Sequence, residues 1–285
     1  MGHAFKFTNG LDYPLRQLVD FNNVAFVGYL NDMTLTPEMF ESFLVPQHIV
    51  HGLSVYMHTA DGQFVGFSRT SVRGTRAWVA GVAIVPDFRG KGAGKILMKE
   101  YLRVLKESGR IKKVLLDVLG GNPVAKRLYE SLGFKIATSV HKLMFQGEID
   151  PPQQSLGSIR VTSGVDIHLP WLQYELEYMW TREWCVVSIK DNAQTVRYET
   201  EDGQLSTAVV VFVDAPKETI VVHACAFTKD TTSNDLRAIF AHFSKENHIT
   251  KFILPYEPAA SKAIKLFEKL EFKETDMEYI MELNL

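Results

Sequence analysis

The stretch VAIVPDFRGKGAGKILMKEYL, Val82–Leu102, decides how this chain folds. It begins as an apolar, strand-like run, passes through a glycine-rich loop at Arg89–Lys95 and continues with the apolar spacing of a helix. Glycine has no Cβ atom, so such a loop can turn its backbone N–H groups inward, and the partial positive charge of a helix N-terminus adds to their effect. We therefore expect this loop to bind a phosphate group. A glycine-rich surface turn is the alternative for a glycine cluster taken by itself.

Two well-known phosphate-binding patterns do not fit this loop. A P-loop needs glycine where Arg89 stands and Ser or Thr where Ile96 stands. The dinucleotide pattern G-x-G-x-x-G fails as well, because its last glycine falls on Lys95 when counted from Gly90 and on Leu97 when counted from Gly92. The loop therefore belongs to another type.

The order of elements before residue 147 predicts a mixed α/β sheet. Two strands flank the Asp61-Gly62 turn, which is a hairpin signal. The following part is predicted as strand 78–85, helix 94–108, strand 114–119, helix 122–132 and strand 134–145. This βαβαβ order favours a parallel strand pair near the middle of the sheet.

A domain boundary is predicted at GEIDPPQQSLGS, residues 147–158. The segment holds two prolines, two glycines and no apolar periodicity, as is typical of an exposed linker. We expect one domain over 1–147, a linker over 148–157 and a second domain over 158–285.

The second half repeats the first. The tripeptide DGQ at 61–63 recurs at 202–204, and AKRLYESLGFK at 125–135 recurs as AIKLFEKLEFK at 263–273. Two collinear matches within the same order of predicted elements favour a duplicated fold over two unrelated amphipathic segments.

Charge separates the two halves. Residues 1–147 hold 18 Lys and Arg against 11 Asp and Glu, a formal charge of +7, whereas 148–285 carry −9. The chain as a whole is not basic, and its Lys and Arg are not interleaved with exposed aromatic residues, so we expect no nucleic-acid partner. The longest apolar run, 208–213, is far shorter than the ~20 residues that cross a bilayer, so no membrane partner is expected.

The reactive residue types suggest a reducing compartment and no metal. Cys185 and Cys225 cannot form a disulfide framework or a four-thiolate zinc site. The nine histidines show no metal-ligand spacing, and the first ten residues lack the apolar core of a signal peptide. We expect a cytoplasmic protein without a metal ion.

Two motifs carry a family resemblance. The pattern R-x-x-G-x-G at 89–94, which follows a strand, resembles the acetyl-CoA pyrophosphate loop of the GNAT N-acetyltransferase superfamily. The pattern N-x-x-A-x-x-L-Y-x-x-x-G-F at 122–134 resembles the second signature of that family. The resemblance implies an α/β fold with two GNAT-like domains. Each would be a mixed, mostly antiparallel β-sheet with flanking helices and a splayed parallel strand pair at the cofactor site.

The resemblance also implies a site for acetyl-CoA as co-substrate. The splayed strand would pair with the pantetheine arm, the loop would hold the pyrophosphate with added charge from its cationic side chains, and an asparagine would contact the arm. The implied residues are Val82, Ala83, Ile84, Arg89, Gly90, Lys91, Gly92, Ala93, Gly94, Lys95 and Asn122.

Two residues are implied for the chemistry. Tyr129 stands where many members keep a tyrosine that protonates the departing CoA thiolate, and ordinary core packing is its alternative role. Asp117 stands where the ribosomal-protein N-terminal acetyltransferase branch has a glutamate base. Burial in its apolar strand would raise its pKa and suit it to that role, but a strand-edge residue satisfied by the backbone is an equal alternative.

The implied reaction is direct transfer in a ternary complex. An acceptor amine is protonated near neutral pH and must lose a proton before it attacks. Both cysteines lie in the second half, which argues against a covalent cysteine relay in the first. The sequence thus predicts an acyltransferase that moves an acetyl group from acetyl-CoA to a primary amine on a small molecule or a peptide. A non-catalytic acyl-CoA-binding or regulatory protein is the alternative, and either is compatible with an oligomer.

The second copy lacks this machinery. By the repeat offset, Tyr129 corresponds to Phe267 and Asp117 to Pro255, and no glycine occurs after Gly203. We therefore expect 158–285 to be a degenerate, non-catalytic GNAT-like domain that binds no CoA.

Overall fold

The structure is a computed structural model that describes residues 4–153, 157–166, 180–187, 192–214 and 217–285. Three residues of the expected linker, 154–156, lie outside the described residues. The chain divides into two compact units. Unit 1 comprises Met1–Ala137 with Ile280–Leu285, and unit 2 comprises Thr138–Tyr279. This division lies earlier in the chain than the expected linker, and it returns the last six residues to unit 1.

Unit 1 is built on a mixed sheet. Its elements are β1 (Phe5–Asn9), α1 (Leu15–Ala25), α2 (Pro37–Gln47), β2 (Val55–Thr59), β3 (Phe64–Arg73), β4 (Arg76–Ile84), α3 (Ala93–Glu107), β5 (Lys113–Leu119) and α4 (Pro123–Glu130). The strands lie in the order β1-β2-β3-β4-β5, with antiparallel neighbours up to β4 and a parallel β4–β5 pair. The parallel pair predicted from the βαβαβ order is confirmed.

Local sequence signals set the ends of these elements. The Thr36 hydroxyl accepts a hydrogen bond from Met39 N at 3.2 Å at the start of α2. Asn122 Oδ1 accepts one from Ala125 N at 3.1 Å at the start of α4. Each bond satisfies an amide that the helix leaves unpaired. The predicted hairpin is confirmed as well, with Gly62 at φ +95° in the turn between β2 and β3.

The parallel pair separates after a few residues. Only Arg76–Trp78 pairs with Lys113–Leu115, and the strands part beyond these residues. A bulge in β4 follows, because the register against β3 shifts so that Ala80 and Gly81 together stand opposite Arg69. This is the splayed pair that the family resemblance implies.

Apolar side chains hold the helices of unit 1 on the sheet. A cluster that includes Phe40, Tyr56 and Phe67 packs α1 and α2 against β2, β3 and β4. Burial of each such side chain stabilises the fold by about 1.5–3 kcal/mol. In α3, residues at helical spacing from Leu97 to Leu105 are buried, so this helix also lies on the sheet.

The strands of unit 2 also combine antiparallel and parallel pairing. Its elements are β6 (Lys135–Gln146, from Thr138 onward), β7 (Ser158–Ser163), α5 (Trp184–Val187), β8 (Ala193–Glu199), β9 (Leu205–Asp214), β10 (Thr219–Phe227), α6 (Ser233–Asn247), β11 (Lys251–Pro258), α7 (Lys262–Glu268) and β12 (Lys273–Asn284, up to Tyr279). The order from β7 to β11 follows the chain, and β6 pairs antiparallel with β11. Strands β10 and β11 form the parallel pair.

The two units share the same hairpin hydrogen bond and the same short parallel strand pair, which confirms the duplicated fold. Thr59 N donates a hydrogen bond to Gln63 O in one hairpin, and Thr200 N donates one to Gln204 O in the other. The parallel pair of unit 2 joins only Thr219–Val221 to Lys251–Ile253. Its last paired residue in β11, Ile253, corresponds to Leu115 under the repeat offset, so both pairs part at equivalent places.

No helix in the described part of the chain combines the length and the apolar character that would let it cross a membrane. The described residues also contain no group of three or more His, Cys, Asp or Glu side chains placed to share a metal ion.

Candidate active site

A cavity of about 580 Å³ lies in unit 1 beside the separated end of β4. It is lined by β4, the glycine loop, the start of α4 and the turn after α1. The predicted site residues among its lining are Val82, Ala83, Ile84, Arg89, Gly90, Gly92, Ala93, Gly94, Lys95, Asn122 and Tyr129. The other two predicted residues, Lys91 and Asp117, are not part of the lining.

Backbone conformation explains two glycines of the loop. Gly90 and Gly92 have φ angles of +71° and +81°, and a Cβ atom would meet nothing within 4 Å, so backbone conformation is the constraint there. Gly94 lies against α4, since a Cβ atom there would make van der Waals contact with Leu128 Cδ2 at 3.4 Å. The loop therefore takes a left-handed path and then packs closely against the next helix.

This path leaves the loop amides unpaired. Within the described chain, the backbone N–H groups of residues 90–94 donate no hydrogen bond, and those of Lys95 and Ile96 both bond to Gly92 O. The free donors stand at the N-terminus of the 15-residue helix α3, where the helix dipole favours negative charge. Such a cradle of amides fits a pyrophosphate group.

Arg89 ties this loop to the end of α1. Its Nε donates to Ile84 O at 2.8 Å, and its Nη2 donates to Ala25 O at 2.9 Å and to Val27 O at 2.7 Å. Ala25 is the last residue of α1, so these carbonyls lack partners within the helix. Arg89 therefore positions the loop, with its charge at the edge of the cavity.

Asn122 contributes through both ends of its amide. Its Oδ1 caps α4, as described above. Its Nδ2 makes no hydrogen bond to any described residue and remains available at the cavity wall. One side chain can therefore start the helix and still donate to a bound molecule.

Tyr129 combines core packing with a place in the cavity wall. The residue is 8 % exposed, and its ring meets Phe134 edge-on at 5.9 Å between centroids. Burial raises the pKa of its phenol, and the charges of Tyr29, Asp117 and Tyr101 raise it further. The phenol therefore stays protonated at neutral pH, and no described residue hydrogen-bonds to its hydroxyl. Both roles expected from the sequence are compatible with this position.

Asp117 lies where the parallel strands part. Its Oδ1 accepts a hydrogen bond of 2.5 Å from Nε1 of Trp78, the last residue of β4 that pairs with β5. Burial raises the pKa of Asp117 to about 6, against the lowering effect of the Trp78 bond. Its charge contributes to the raised pKa of the Tyr129 phenol. A carboxylate with this pKa is mostly ionised at neutral pH and can accept a proton.

The turn after α1 was missed by the sequence reasoning. Phe26, Gly28, Tyr29 and Leu30 all line the cavity. They belong to no motif, and they reach the site because Arg89 holds the end of α1 against the loop.

In unit 2 the corresponding gap is filled by Arg182, whose side chain is 3 % exposed. Its Nη2 donates to His223 O of β10 at 2.9 Å, and its Nη1 donates to Pro255 O of β11 at 2.7 Å. Glu257 neutralises the guanidinium at 2.8 Å. These carbonyls lie just beyond the last paired residues of the two strands, so a side chain of the unit itself spans the gap.

Known proteins share both the sequence of the site and the fold. Residues 18–134 match the model of the acetyltransferase (GNAT) family. The [ribosomal protein bS18]-alanine N-acetyltransferase of Salmonella typhimurium is 36 % identical over 80 residues, which are 28 % of this chain and 53 % of that protein. The mycothiol acetyltransferase of Propionibacterium freudenreichii is 31 % identical over 137 residues, 45 % of this chain and 42 % of that protein. The chain thus spans about half the length of the curated relatives it matches.

A solved structure matches the chain over nearly its whole length. The tandem GNAT protein from the clavulanic acid biosynthesis pathway superposes with a TM-score of 0.68 at 12 % identity, covering 99 % of this chain and 98 % of that one. At this identity the likeness concerns the fold alone. The family model includes every residue that lines the cavity of unit 1. Residues 18–134 of unit 1 thus form a domain that matches the acetyltransferase (GNAT) family model, and unit 2 holds a second copy of the fold.

Proposed function

We propose that unit 1 transfers an acetyl group from acetyl-CoA to a primary amine, on a small molecule or a peptide, by direct attack in a ternary complex. One observation carries the proposal. The free amides of Gly90 and Gly92–Gly94, the edge of β4 and Tyr129 all line the same cavity. A phosphorylated thioester donor requires a cradle for its phosphates, a strand edge for its arm and a phenol as proton donor.

The chain's own groups would hold the donor along this wall. The amides of residues 90–94, with the exposed Lys91 and Lys95 nearby, would bind the pyrophosphate. The backbone of Val82–Ile84 pairs with β3 on one side only, and the side facing the gap is free to bind the pantetheine arm. Asn122 Nδ2 would donate to the same arm. When bound, acetyl-CoA supplies an activated acyl group.

Two side chains would move the protons. Asp117, ionised at neutral pH, would take a proton from the acceptor ammonium group, directly or through a water molecule. Tyr129, held in its protonated form, would give a proton to the departing thiolate and regain one from the attacking nitrogen, which loses its second proton as the amide forms. The two cysteines do not enter the reaction, since both lie in unit 2 and burial raises the pKa of the Cys225 thiol.

Unit 2 would have no catalytic role in this scheme. Arg182 spans its gap, and Phe267, which corresponds to Tyr129, is fully buried and carries no hydroxyl. The expected catalytic domain at 1–147 and the degenerate one at 158–285 would thus correspond to units 1 and 2. The proposed reaction needs only water-soluble reactants, in keeping with the cytoplasmic location expected from the sequence.

Two measurements test the proposal. CoA at ~100 times its Kd should stabilise the protein by about 2.7 kcal/mol, which a thermal-shift experiment detects. Release of free CoA from acetyl-CoA should then depend on an added amine, drawn from antibiotics, polyamines, amino acids and peptides. No thermal shift at millimolar CoA would contradict the proposal. A shift without amine-dependent release across the panel would favour the non-catalytic acyl-CoA-binding alternative.

A further inference from the structure

A buried arginine without a counter-ion lies next to the proposed active site. Arg69, in β3, is 3 % exposed and stands opposite the bulge at Ala80 and Gly81. No carboxylate of the described residues lies within ion-pair distance of it. Arginine buried to this degree is normally paired with an acid, so this one lacks a partner.

The surroundings of Arg69 are aromatic and almost neutral. Its guanidinium carbon lies 4.7 Å from the ring centroid of Phe40, 5.4 Å from that of Phe43 and 4.9 Å from that of Phe67. Its Nη2 donates to Asn22 Oδ1 at 3.1 Å. Its Nε is buried and makes no hydrogen bond within the described part of the chain.

Two more buried polar groups lie near Arg69, and one of them, the Tyr56 hydroxyl, interacts directly with its guanidinium. The Tyr56 hydroxyl and His51 Nδ1 are both buried without a well-formed hydrogen bond to any described residue. Burial raises the pKa of Tyr56 while the charge of Arg69 opposes the rise, and burial together with that charge lowers the pKa of His51. Both groups are therefore near enough to feel the charge of Arg69, and we call Arg69, Tyr56 and His51 the polar cluster.

Packing alone does not account for this polar cluster. The three rings do stabilise a cation, but they do not satisfy its N–H groups, and burying an uncompensated charge is strongly unfavourable. A methionine or leucine would fill the same space without that penalty. An anion bound next to Arg69 would supply the missing acceptor, and the Tyr56 hydroxyl could donate to it as well.

The polar cluster approaches the cavity at the bulge of β4. Gly81 has φ +145°, and a Cβ atom there would lie 3.8 Å from Arg69 Nη1 and 3.6 Å from Phe67 Cε2. The next residue, Val82, lines the cavity. Only Gly81, which has no side chain, therefore stands between the guanidinium and a residue of the cavity wall along β4.

We infer that Arg69 binds the carboxylate of the acceptor, so the acceptors are amines that also carry a carboxylate, as amino acids do. The inference rests on the proposed acetyl transfer for what counts as an acceptor. The inference distinguishes amino acids from polyamines and aminoglycosides, which offer only cationic groups that Arg69 would repel.

The test compares matched pairs of acceptors. The common L-amino acids, their carboxamides and spermidine are each added to the CoA-bound protein, and binding is followed by thermal shift and by release of CoA from acetyl-CoA. We expect at least one amino acid to bind about 10²-fold or more tightly than its carboxamide, because a site built for one polar group rejects the analogue that lacks it. Arg69→Met should abolish this preference, and Arg69→Lys should keep part of it.

The preference ratio is the informative quantity, since a purely structural arginine would alter folding without altering the ratio. If Arg69→Met does not fold, Tyr56→Phe serves instead and should reduce the ratio. Carboxamides or spermidine binding as well as the amino acids, no amino acid binding at millimolar concentration, or a ratio unchanged in the variants would each overturn the inference. CoA release with spermidine but with no amino acid would overturn it while leaving the proposed function intact. If CoA gives no thermal shift, the proposed function fails, and the carboxylate preference is then read from amino-acid shifts alone.

Discussion

Trp78 Nε1 donates a hydrogen bond to Asp117 Oδ1 over 2.5 Å, and this bond crosses the point at which β4 and β5 stop pairing. It fixes the carboxylate without neutralising it. Burial raises the pKa of Asp117 to about 6, so the group changes its charge within the range in which enzymes are assayed. Its role can therefore be tested both through catalysis and through stability.

Asp117→Asn should separate the two roles that the sequence left open. The amide oxygen can still accept the Trp78 bond, so a structural role is preserved, whereas an amide cannot accept a proton from the amine. We expect kcat/KM to fall by about 10²-fold or more. The further decrease in kcat/KM that we expect for the wild type below pH 6 should be absent in the variant. A variant with wild-type kcat/KM would exclude Asp117 as the base.

Trp78→Phe should move the acidic limb of the pH profile. The bond from Trp78 lowers the pKa of Asp117, so its loss lets that pKa rise above about 6. The wild-type decrease in kcat/KM should then begin at higher pH, with the plateau at alkaline pH largely kept. An unshifted limb would mean that another group controls it.

The stability of Asp117→Asn tests the same pKa without any acceptor. A carboxyl whose pKa is raised from 3.8 in the unfolded chain to about 6 in the fold favours folding at low pH and loses that contribution as the pH rises through 6. Relative to the variant, the wild type should lose about 1 kcal/mol of unfolding free energy between pH 5 and pH 7. Chemical denaturation at both pH values measures this difference. Parallel pH dependence of the two proteins would show that the pKa is not raised.

Tyr129→Phe should reduce kcat while leaving CoA binding unchanged. The substitution keeps the ring that packs on Phe134 and removes only the proton donor, so we expect a decrease of about 10²-fold in kcat. Tyr29→Phe, which alters another phenol of the cavity wall, is the matched control. A Tyr129→Phe enzyme with full kcat on any acceptor would leave Tyr129 as a packing residue.

Gly92→Ala and Gly109→Ala form a matched pair for the loop. Both glycines have positive φ, +81° and +65°, and open space where a Cβ would stand, so each substitution should cost about 1 kcal/mol of stability. Only Gly92 belongs to the amide cradle, so only Gly92→Ala should weaken CoA binding, by about tenfold or more. Equal CoA affinities in calorimetry would show that the cradle does not bind CoA.

Structural features that depend on neighbouring residues in the sequence could be predicted from local patterns. The hairpin turn at Asp61-Gly62 and the parallel pair follow from spacings of a few residues, and eleven of the thirteen predicted site residues line one cavity. The bonds that join distant segments were not predictable in this way. Arg89 contacts carbonyls more than 60 residues away, and Trp78 meets Asp117 across 39 residues.

The place at which the structure divides into two units could not be predicted from the sequence, for a structural reason. Strands β6 and β12 each have 12 residues and each follow a copy of the same repeated helix segment, so no local feature says which unit each should join. From Thr138 onward β6 pairs with β11 of unit 2, while Ile280–Leu285 belongs to unit 1, where Lys113 and Glu282 form an ion pair at 2.9 Å.

Arg182 has a consequence for any attempt to engineer a second active site. Grafting the glycine loop and a tyrosine at Phe267 into unit 2 would restore a cradle and a proton donor, yet Arg182 would still occupy carbonyls of both strands. Removing Arg182 alone would leave the buried charge of Glu257 without its counter-ion. A functional graft would therefore have to replace Arg182 and Glu257 together, because the contacts of Arg182 that fill the gap between β10 and β11 also stabilise unit 2.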